Sequence, residues 1–109
     1  MEFRTPSYFA LAALIDGPLH GYAIVSRAAE LSGGTVRLST GTLYALLERA
    51  IDASLVVAGE PYVQAGRTRR DYTLTQAGRD ELQAEAARLA HAARTVTHRL
   101  SLSRPAVSR

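Results

Sequence analysis

Hydrophobic positions recur first at helical spacing, then in alternation, then at helical spacing again. The first apolar run predicts a helix over 6–16, with Thr5 as its cap and Pro6 in the first helical position. This helix has almost no polar face, which indicates burial on more than one side. A second short helix is predicted within 17–34, between a Gly-Pro turn and a pair of glycines. Gly21 near its start indicates close packing against another helix.

A third helix is predicted to begin after Ser39, whose hydroxyl suits a helix cap. Its apolar residues recur at helical spacing and form a predicted buried stripe of Leu43, Leu46, Leu47, Ala50 and Ile51. The first turn reads Ser-Thr-Gly-Thr, which holds more hydroxyl groups and glycine than a cap alone requires. This thin, donor-rich start therefore calls for a functional explanation.

Two strand-like segments, 54–63 and 70–75, follow and are predicted to form one hairpin. In the second segment Tyr72 and Leu74 alternate with polar residues, so one face of the hairpin is expected to be buried. The connecting sequence QAGRTRR carries three arginines and no acidic residue. These arginines are expected at the tip of the hairpin.

Thr75 is the predicted cap of a long last helix that runs to Leu100. Its apolar residues step alternately by four and three, the pattern of one helix packed along another. This seam consists of Leu82, Ala86, Leu89, Ala93, Val96 and Leu100. The seam could pack on the chain's own first helix, but that helix is apolar on more sides than one chain covers. A dimer interface that includes Phe9 is therefore favoured, and the segment 101–109 is predicted to be a disordered tail.

This order of elements predicts a mainly α fold with a small β-hairpin: a winged helix-turn-helix over 1–75 and a dimerisation helix over 76–100. In such a fold the third helix enters the DNA major groove with its N-terminus first. Small residues let the backbone approach a phosphate, to which hydroxyls and free amides then donate hydrogen bonds. Arginines of the wing would reach the flanking minor groove or the backbone.

The candidate DNA contacts lie at the starts of the second and third helices and in the wing. They are Ser39, Thr40, Gly41, Thr42, Tyr44, Tyr22, His20, Arg67, Thr68, Arg69 and Arg70. Some of them have a structural alternative: Tyr44 could fill space between helices, His20 and Tyr22 could stabilise packing or the turn, and the arginines could be a solvated charge run.

Composition narrows the function classes. All 13 basic residues are Arg and the net charge is +3, which suits phosphate contacts without proving them. There is no Cys, which excludes disulfides, thiolate catalysis and Cys-based zinc sites. An enzyme is disfavoured because the sequence shows no glycine-rich phosphate loop and no convincing carboxylate pair, and no cofactor is predicted. His91 and His98 would lie about 10 Å apart along one helix, too far to bind one metal ion within a chain.

The first apolar run is shorter than the roughly 20 residues that span a bilayer, so a soluble, cytoplasmic chain without membrane contact is expected. A winged helix that binds protein rather than DNA is the alternative function. Such a domain needs no basic wing, so the arginine cluster counts against it.

Three stretches carry a family resemblance: LIDGPLHGYAI, LSTGTLYALLERA and GRTRRDYTLTQAGRDEL. They resemble the motifs of PadR-family transcriptional regulators over residues 5–90. Chain length and a single C-terminal helix resemble the short branch, which includes the lactococcal multidrug-binding regulators. The resemblance implies a homodimeric repressor that a small molecule releases from its promoter. A two-fold dimer should recognise an inverted repeat in double-stranded DNA.

This chain departs from the family pattern in places. Ala45 stands where proline is usual, and the third helix closes with AIDAS instead of an acidic run ending in glycine. Ser54 therefore occupies a position where a left-handed glycine is expected, so this helix end should be either mildly strained or differently shaped. The chain has no Trp, which puts the binding of flat aromatic drugs in doubt. An apolar or amphipathic effector is expected instead, in a dimer cavity lined by Tyr8, Phe9, Ala12, Leu89 and Ala93.

Overall fold

The computed structural model describes residues 1, 3–103 and 105. Along this part of the chain the elements are α1 (Thr5–Ala12), β1 (Leu19–His20), α2 (Gly21–Leu31), α3 (Thr40–Asp52), β2 (Val56–Ala58), β3 (Tyr62–Gln64), β4 (Arg67–Arg69), β5 (Asp71–Leu74) and α4 (Gln76–Leu102). The mainly α fold with a small antiparallel β component is confirmed.

The first helix is shorter than predicted. It begins at Thr5, so Arg4 rather than Thr5 stands at the cap, and no side chain of the described residues accepts a hydrogen bond there. It ends at Ala12 rather than at residue 16 because the hydrogen bonds tighten to three-residue turns beyond it. The amide of Leu14, for example, donates to the carbonyl of Leu11 at 3.0 Å.

The predicted single hairpin is wrong in detail, because two small sheets replace it. One sheet has the antiparallel order β1-β5-β2, and the other pairs β3 with β4. Gly59–Pro61 divides the predicted strand 54–63, since proline has no N–H to donate to a strand ladder. The turn between β3 and β4 is Ala65-Gly66, with φ values of 50° and 75°, the backbone signs of a type I′ hairpin.

Strand β1 was not predicted. Leu19 pairs with Tyr72 and His20 pairs with Asp71, so the chain just before α2 joins the sheet of the wing. Two residues are too few to show an alternating pattern, and this pairing depends on a distant partner strand. The pairing ties the start of α2 directly to β5.

The core confirms the main burial predictions. Leu43, Leu46, Leu47 and Ala50 of α3 are buried, while Ile51 is half-buried against them. The wing contributes its predicted inner face, because Tyr72 and Leu74 are also buried. Ser54 has a φ of 62°, the left-handed conformation expected at the position where the family pattern has glycine.

Helix α4 begins at the predicted cap and continues past Leu100 to Leu102. The hydroxyl of Thr75 accepts from the amide of Gly78 at 2.9 Å and donates to the carbonyl of Ser54 at 2.8 Å. The predicted disordered tail is thus helical at 101–102. Residues 104 and 106–109 of that tail lie outside the described residues.

Among the described residues, only the beginning of the α4 seam is covered by the rest of the chain. Leu82 is buried and Ala86 is half-buried, but Leu89, Val96 and Leu100 are 40%, 58% and 65% exposed. The alternative in which the whole seam packs on the chain's own first helix is therefore wrong. Within residues 1, 3–103 and 105, no helix has both the length and the apolar character to cross a membrane.

Candidate nucleic-acid interface

A cleft of about 420 Å³ lies where α2, α3 and the wing meet. The predicted DNA contacts that line it are His20, Tyr22, Thr40, Tyr44, Arg67, Thr68, Arg69 and Arg70. Ser39, Gly41 and Thr42 do not line the cleft but are exposed in the first turn of α3 beside it. Residues from three separate sequence motifs thus come together on one side of the molecule.

Sequence reasoning missed other residues of the same cleft. Val25, Pro61 and Tyr72 also line it. The predicted strand 54–63 runs through Pro61, although a proline is itself a signal that a strand breaks. Val25 and Tyr72 add buried or half-buried apolar surface to a lining that is otherwise largely polar.

The start of α3 is organised by Ser39. Its hydroxyl oxygen accepts from the amide of Thr42 at 3.2 Å, as predicted for the cap, and its hydroxyl lies 3.0 Å from the Thr42 Oγ1 atom. A single cap satisfies only one of the amides that have no partner within a helix. The first-turn amides of Thr40 and Gly41 therefore face outward, together with the positive end of the helix dipole.

Gly41 has no reason within the described chain to be glycine. A Cβ atom built on it would meet nothing within 4 Å, and its φ is not in the left-handed region. Glycine inside a helix lowers stability by about 0.5–1 kcal/mol relative to alanine. The missing side chain therefore leaves open space on the exposed surface of the α3 start.

Gly21 behaves differently, and it also bears on Tyr44. A Cβ atom at Gly21 would lie 3.1 Å from the Tyr44 hydroxyl and 3.2 Å from Leu43 Cδ2, so the predicted close helix packing is present. Tyr44 fills this space and remains 48% exposed. The same side chain thus packs between helices and lines the cleft. Tyr22 is 74% exposed, which argues against the packing interpretation of that residue.

His20 caps α2, in agreement with the turn-stabilising interpretation. Its Nδ1 atom accepts from the amide of Ala23 at 3.2 Å. Its other ring nitrogen, Nε2, contacts the guanidinium of Arg69. The ring of His20 therefore lies between the first turn of α2 and the wing, with one nitrogen facing each.

The wing arginines were predicted at the tip of the hairpin. They lie along the edge of the cleft instead. Arg67 and Arg69 belong to β4, Arg70 follows it, and Ala65-Gly66 forms the tip instead. In the part of the chain that the structure describes, no carboxylate lies within ion-pair distance of these arginines. Asp71, which is close in sequence, instead accepts a hydrogen bond from the Tyr62 hydroxyl at 2.7 Å. The cleft consequently keeps a positive edge.

Two tyrosines near the cleft stay protonated over a wider pH range than usual. The hydrogen bond to Asp71 raises the pKa of Tyr62 above its ordinary value. Burial beneath the cleft raises the pKa of Tyr72. An ordinary phenol is already neutral at physiological pH, so these shifts extend the neutral range to higher pH and do not change the charge of the cleft near pH 7.

The residues of the predicted effector cavity are not brought together within one chain. Tyr8 and Ala12 line a groove of about 340 Å³ between α1 and α4, together with Leu82 and Ala86. Leu89 and Ala93 lie farther along α4 and do not line this groove. Phe9 packs edge-on against Tyr8, with their ring centroids 5.3 Å apart.

The helix-turn-helix, the two small antiparallel sheets and the long last helix define a winged-helix protein. The family model of the transcriptional regulator PadR-like family matches residues 10–84. The chain therefore belongs to the PadR-like family of transcriptional regulators.

The chain is also similar to one protein in sequence and to solved structures in fold. Over 86 residues the chain is 43% identical to a 37.1 kDa protein in transposon TN4556 of Streptomyces fradiae, covering 79% of this chain and 23% of that protein. The fold is similar to a PadR-family regulator from Eggerthella lenta, with a TM-score of 0.73, 24% identity and coverage of 91% and 84% of the two chains. It is also similar to Bacillus subtilis PadR in complex with operator DNA, with a TM-score of 0.62, 22% identity and coverage of 97% and 53%.

Proposed function

We propose that this chain is a sequence-specific regulator that binds double-stranded DNA through the first turn of α3 and the wing. The observation that carries the proposal is Gly41, an exposed glycine in the first turn of a helix that no contact within the described chain requires. Glycine at such a point permits close approach of another backbone. A DNA phosphate is the partner that suits outward amides and the positive end of a helix.

The cleft supplies the other groups that this contact needs. Thr40, Tyr22 and Tyr44 offer hydroxyls on its rim, and Arg67 and Arg70 are exposed beside it. Hydroxyl, amide and guanidinium donors to phosphate fix the position of a protein on the duplex. The fold similarity to Bacillus subtilis PadR, which was solved with operator DNA, supports this use of the surface.

The second part of the proposal is a homodimer formed along α4. The seam residues beyond Ala86 are exposed, and a row of apolar residues at heptad spacing is suited to a second helix. Two copies related by a two-fold axis would present two α3 helices to an inverted-repeat operator. Repression would follow if that operator overlaps a promoter.

The dimer is tested by Val96→Glu, with His98→Glu as the matched control on the opposite side of the same helix. Both residues are exposed in the single chain, so neither change disturbs its core. Val96→Glu is expected to halve the molar mass measured by light scattering, whereas His98→Glu is expected to leave it unchanged. A monomeric wild-type protein, or a dimer that Val96→Glu does not affect, would contradict the seam interface.

An apolar or amphipathic effector is proposed to bind between α1 and α4 of the two subunits, at Tyr8, Phe9, Ala12, Leu89 and Ala93. Because the chain has no Trp, Leu89→Trp introduces a single fluorescent reporter there. Apolar ligands that release DNA should change its emission, and Phe9→Ala should weaken that response. If neither substitution alters the response to any effector, the cavity lies elsewhere.

DNA binding is tested by a gel shift with the fragment upstream of the chain's own gene, at several salt concentrations. A complex that survives excess competitor DNA and weakens as salt rises is the expected result. If neither that fragment nor a genomic library yields a complex that resists competitor, the DNA proposal fails. That outcome would favour the alternative, a winged helix that contacts another protein.

A further inference from the structure

The outer part of the wing, strands β3 and β4, is a separate two-stranded sheet. It is joined to the inner sheet through Gly59–Pro61 on one side and Arg70 on the other. Residues 62–68 are all exposed, so little packing fixes the orientation of this hairpin. Side-chain contacts must therefore contribute to holding it beside the cleft.

Such contacts connect the outer hairpin to the rest of the fold. Tyr62 of β3 donates to Asp71 of β5 at 2.7 Å. Arg69 of β4, which pairs with Tyr62 in the hairpin, contacts the Nε2 atom of His20. Arg69 is half-buried, whereas Arg67 and Arg70 on either side are exposed. Arg69 is thus the arginine of this group that the fold holds in place.

His20 is an unusual choice if its purpose is only to cap α2. Helices α3 and α4 are capped by Ser39 and Thr75, which are among the preferred residues for this position. Histidine is not among them, but its ring carries a second nitrogen beyond the one that caps. That second nitrogen is the atom that reaches the wing.

Each of the two contacts of His20 needs a ring nitrogen that accepts a hydrogen bond, but a neutral imidazole has only one such nitrogen. In a neutral imidazole one nitrogen accepts a hydrogen bond and the other carries a proton. Both the amide of Ala23 and the guanidinium of Arg69 are donors. A change at Arg69 should therefore alter which ring nitrogen of His20 carries the proton, and so reach the start of α2.

We propose that His20 is a positioning residue for the wing, which holds Arg69, and with it the outer hairpin, at the edge of the cleft beside α3. This inference rests on the proposed function for its role at DNA, because a positioned Arg69 would meet a phosphate next to the α3 start. The link between the ring and the wing can nevertheless be measured in the free protein.

The first arm is NMR of the full chain without DNA. Arg69→Ala should shift the ring nitrogen signals of His20, and those of His91 and His98 on α4 serve as internal controls that should not move. His20→Asn keeps a preferred cap but ends short of the wing. It should shift the amide signals of Thr68 and Arg69 while leaving the melting temperature unchanged.

The second arm is DNA binding by single and double variants. His20→Asn should weaken binding by about three- to tenfold, and combining it with Arg69→Ala should add little to the loss from Arg69→Ala alone. Combined with Arg67→Ala, which changes an arginine outside this contact, the losses should multiply. Independent effects of His20→Asn and Arg69→Ala would overturn the inference.

The outcomes separate the inference from the proposed function. If His20 ring signals are unchanged in Arg69→Ala, the positioning role is wrong, whatever happens with DNA. If the ring signals shift but wild-type protein binds no DNA specifically, the His20–Arg69 link stands and the proposed function fails. Should His20→Asn not fold, the Arg69→Ala ring signals still decide the question.

Discussion

The first turns of α3 and α4 are built alike but have different surroundings. Each helix is capped by a hydroxyl that accepts from the amide three residues later, and each has a glycine in this turn. A Cβ atom on Gly78 would lie 2.2 Å from the carbonyl oxygen of Leu55, whereas one on Gly41 would meet nothing within 4 Å. The glycine of α4 is therefore explained by the chain's own packing, whereas that of α3 has no such explanation within the described residues, which is why we propose a DNA contact there.

Replacement of the glycine of α4 is expected to have the largest effect on stability. Gly78→Ala should lower the free energy of unfolding by about 3 kcal/mol, because backbone at Leu55 cannot move away from the new methyl group without shifting a strand. Chemical denaturation measures this directly. The control is Ala77→Gly at the exposed neighbouring position, which should cost about 1 kcal/mol. A stable Gly78→Ala variant would show that the close approach is not fixed.

The next effect concerns the wing beside α3. Arg67→Ala should weaken DNA binding about tenfold and reduce the salt slope by about 0.9, as expected for one lost phosphate contact. Arg88→Ala removes the same charge from α4, where Arg88 is paired with Glu85 at 2.6 Å, and serves as the control. If Arg67→Ala instead changes base preference with the salt slope intact, Arg67 contacts bases rather than phosphates.

A smaller effect is expected on stability when the glycine of α3 is replaced. Gly41→Ala should raise the free energy of unfolding by about 0.5–1 kcal/mol, because alanine favours the helix and the new methyl group meets open space. Ala45→Gly, at an exposed position of the same helix, should have the opposite effect of similar size. Loss of stability in Gly41→Ala would mean that its surroundings require glycine, and the contrast with Gly78 would disappear.

The smallest effect is the titration of Tyr62. Its pKa is raised in the folded state, so the hydrogen bond to Asp71 stabilises the fold below the unfolded pKa and is lost as pH rises through the folded pKa. Tyr62→Phe should remove one late-titrating phenol from the ultraviolet titration and leave that of Tyr72. If the phenol that Tyr62→Phe removes is instead one that titrates at the ordinary tyrosine value, the Tyr62–Asp71 contact is contradicted.

Local signals predicted much of the fold. The caps at Ser39 and Thr75 were identified because a hydroxyl preceded an apolar pattern at helical spacing, and both accept the expected amide. The close packing at Gly21 was likewise correct, and of the two alternatives for Ser54 the structure has the left-handed one. For the two caps and Ser54 the physical requirement lies within a few residues of the position that reveals it, whereas Gly21 is explained by Leu43 and Tyr44 on another helix.

Features that depend on distant partners were missed. Strand β1 exists because Leu19 and His20 pair with β5, some fifty residues later, and a two-residue strand has no periodicity of its own. The sequence predicted a turn-stabilising role for His20 as one alternative, but not that its side chain caps α2, because histidine is not among the preferred cap residues. For the candidate site, sequence patterns identified the α3 start and the wing arginines as candidates, but not that Arg69 contacts His20.

We propose above that the first turn of α3 is shaped for a DNA contact rather than for packing within the chain. The most direct measurement compares wild-type protein with Gly41→Ala for binding to one operator fragment by fluorescence anisotropy. Gly41→Ala is predicted to bind about tenfold more weakly, a loss of about 1.4 kcal/mol, although it folds more stably. Equal affinity of the two proteins would contradict the claim, because a methyl group at Gly41 would then lie away from the DNA.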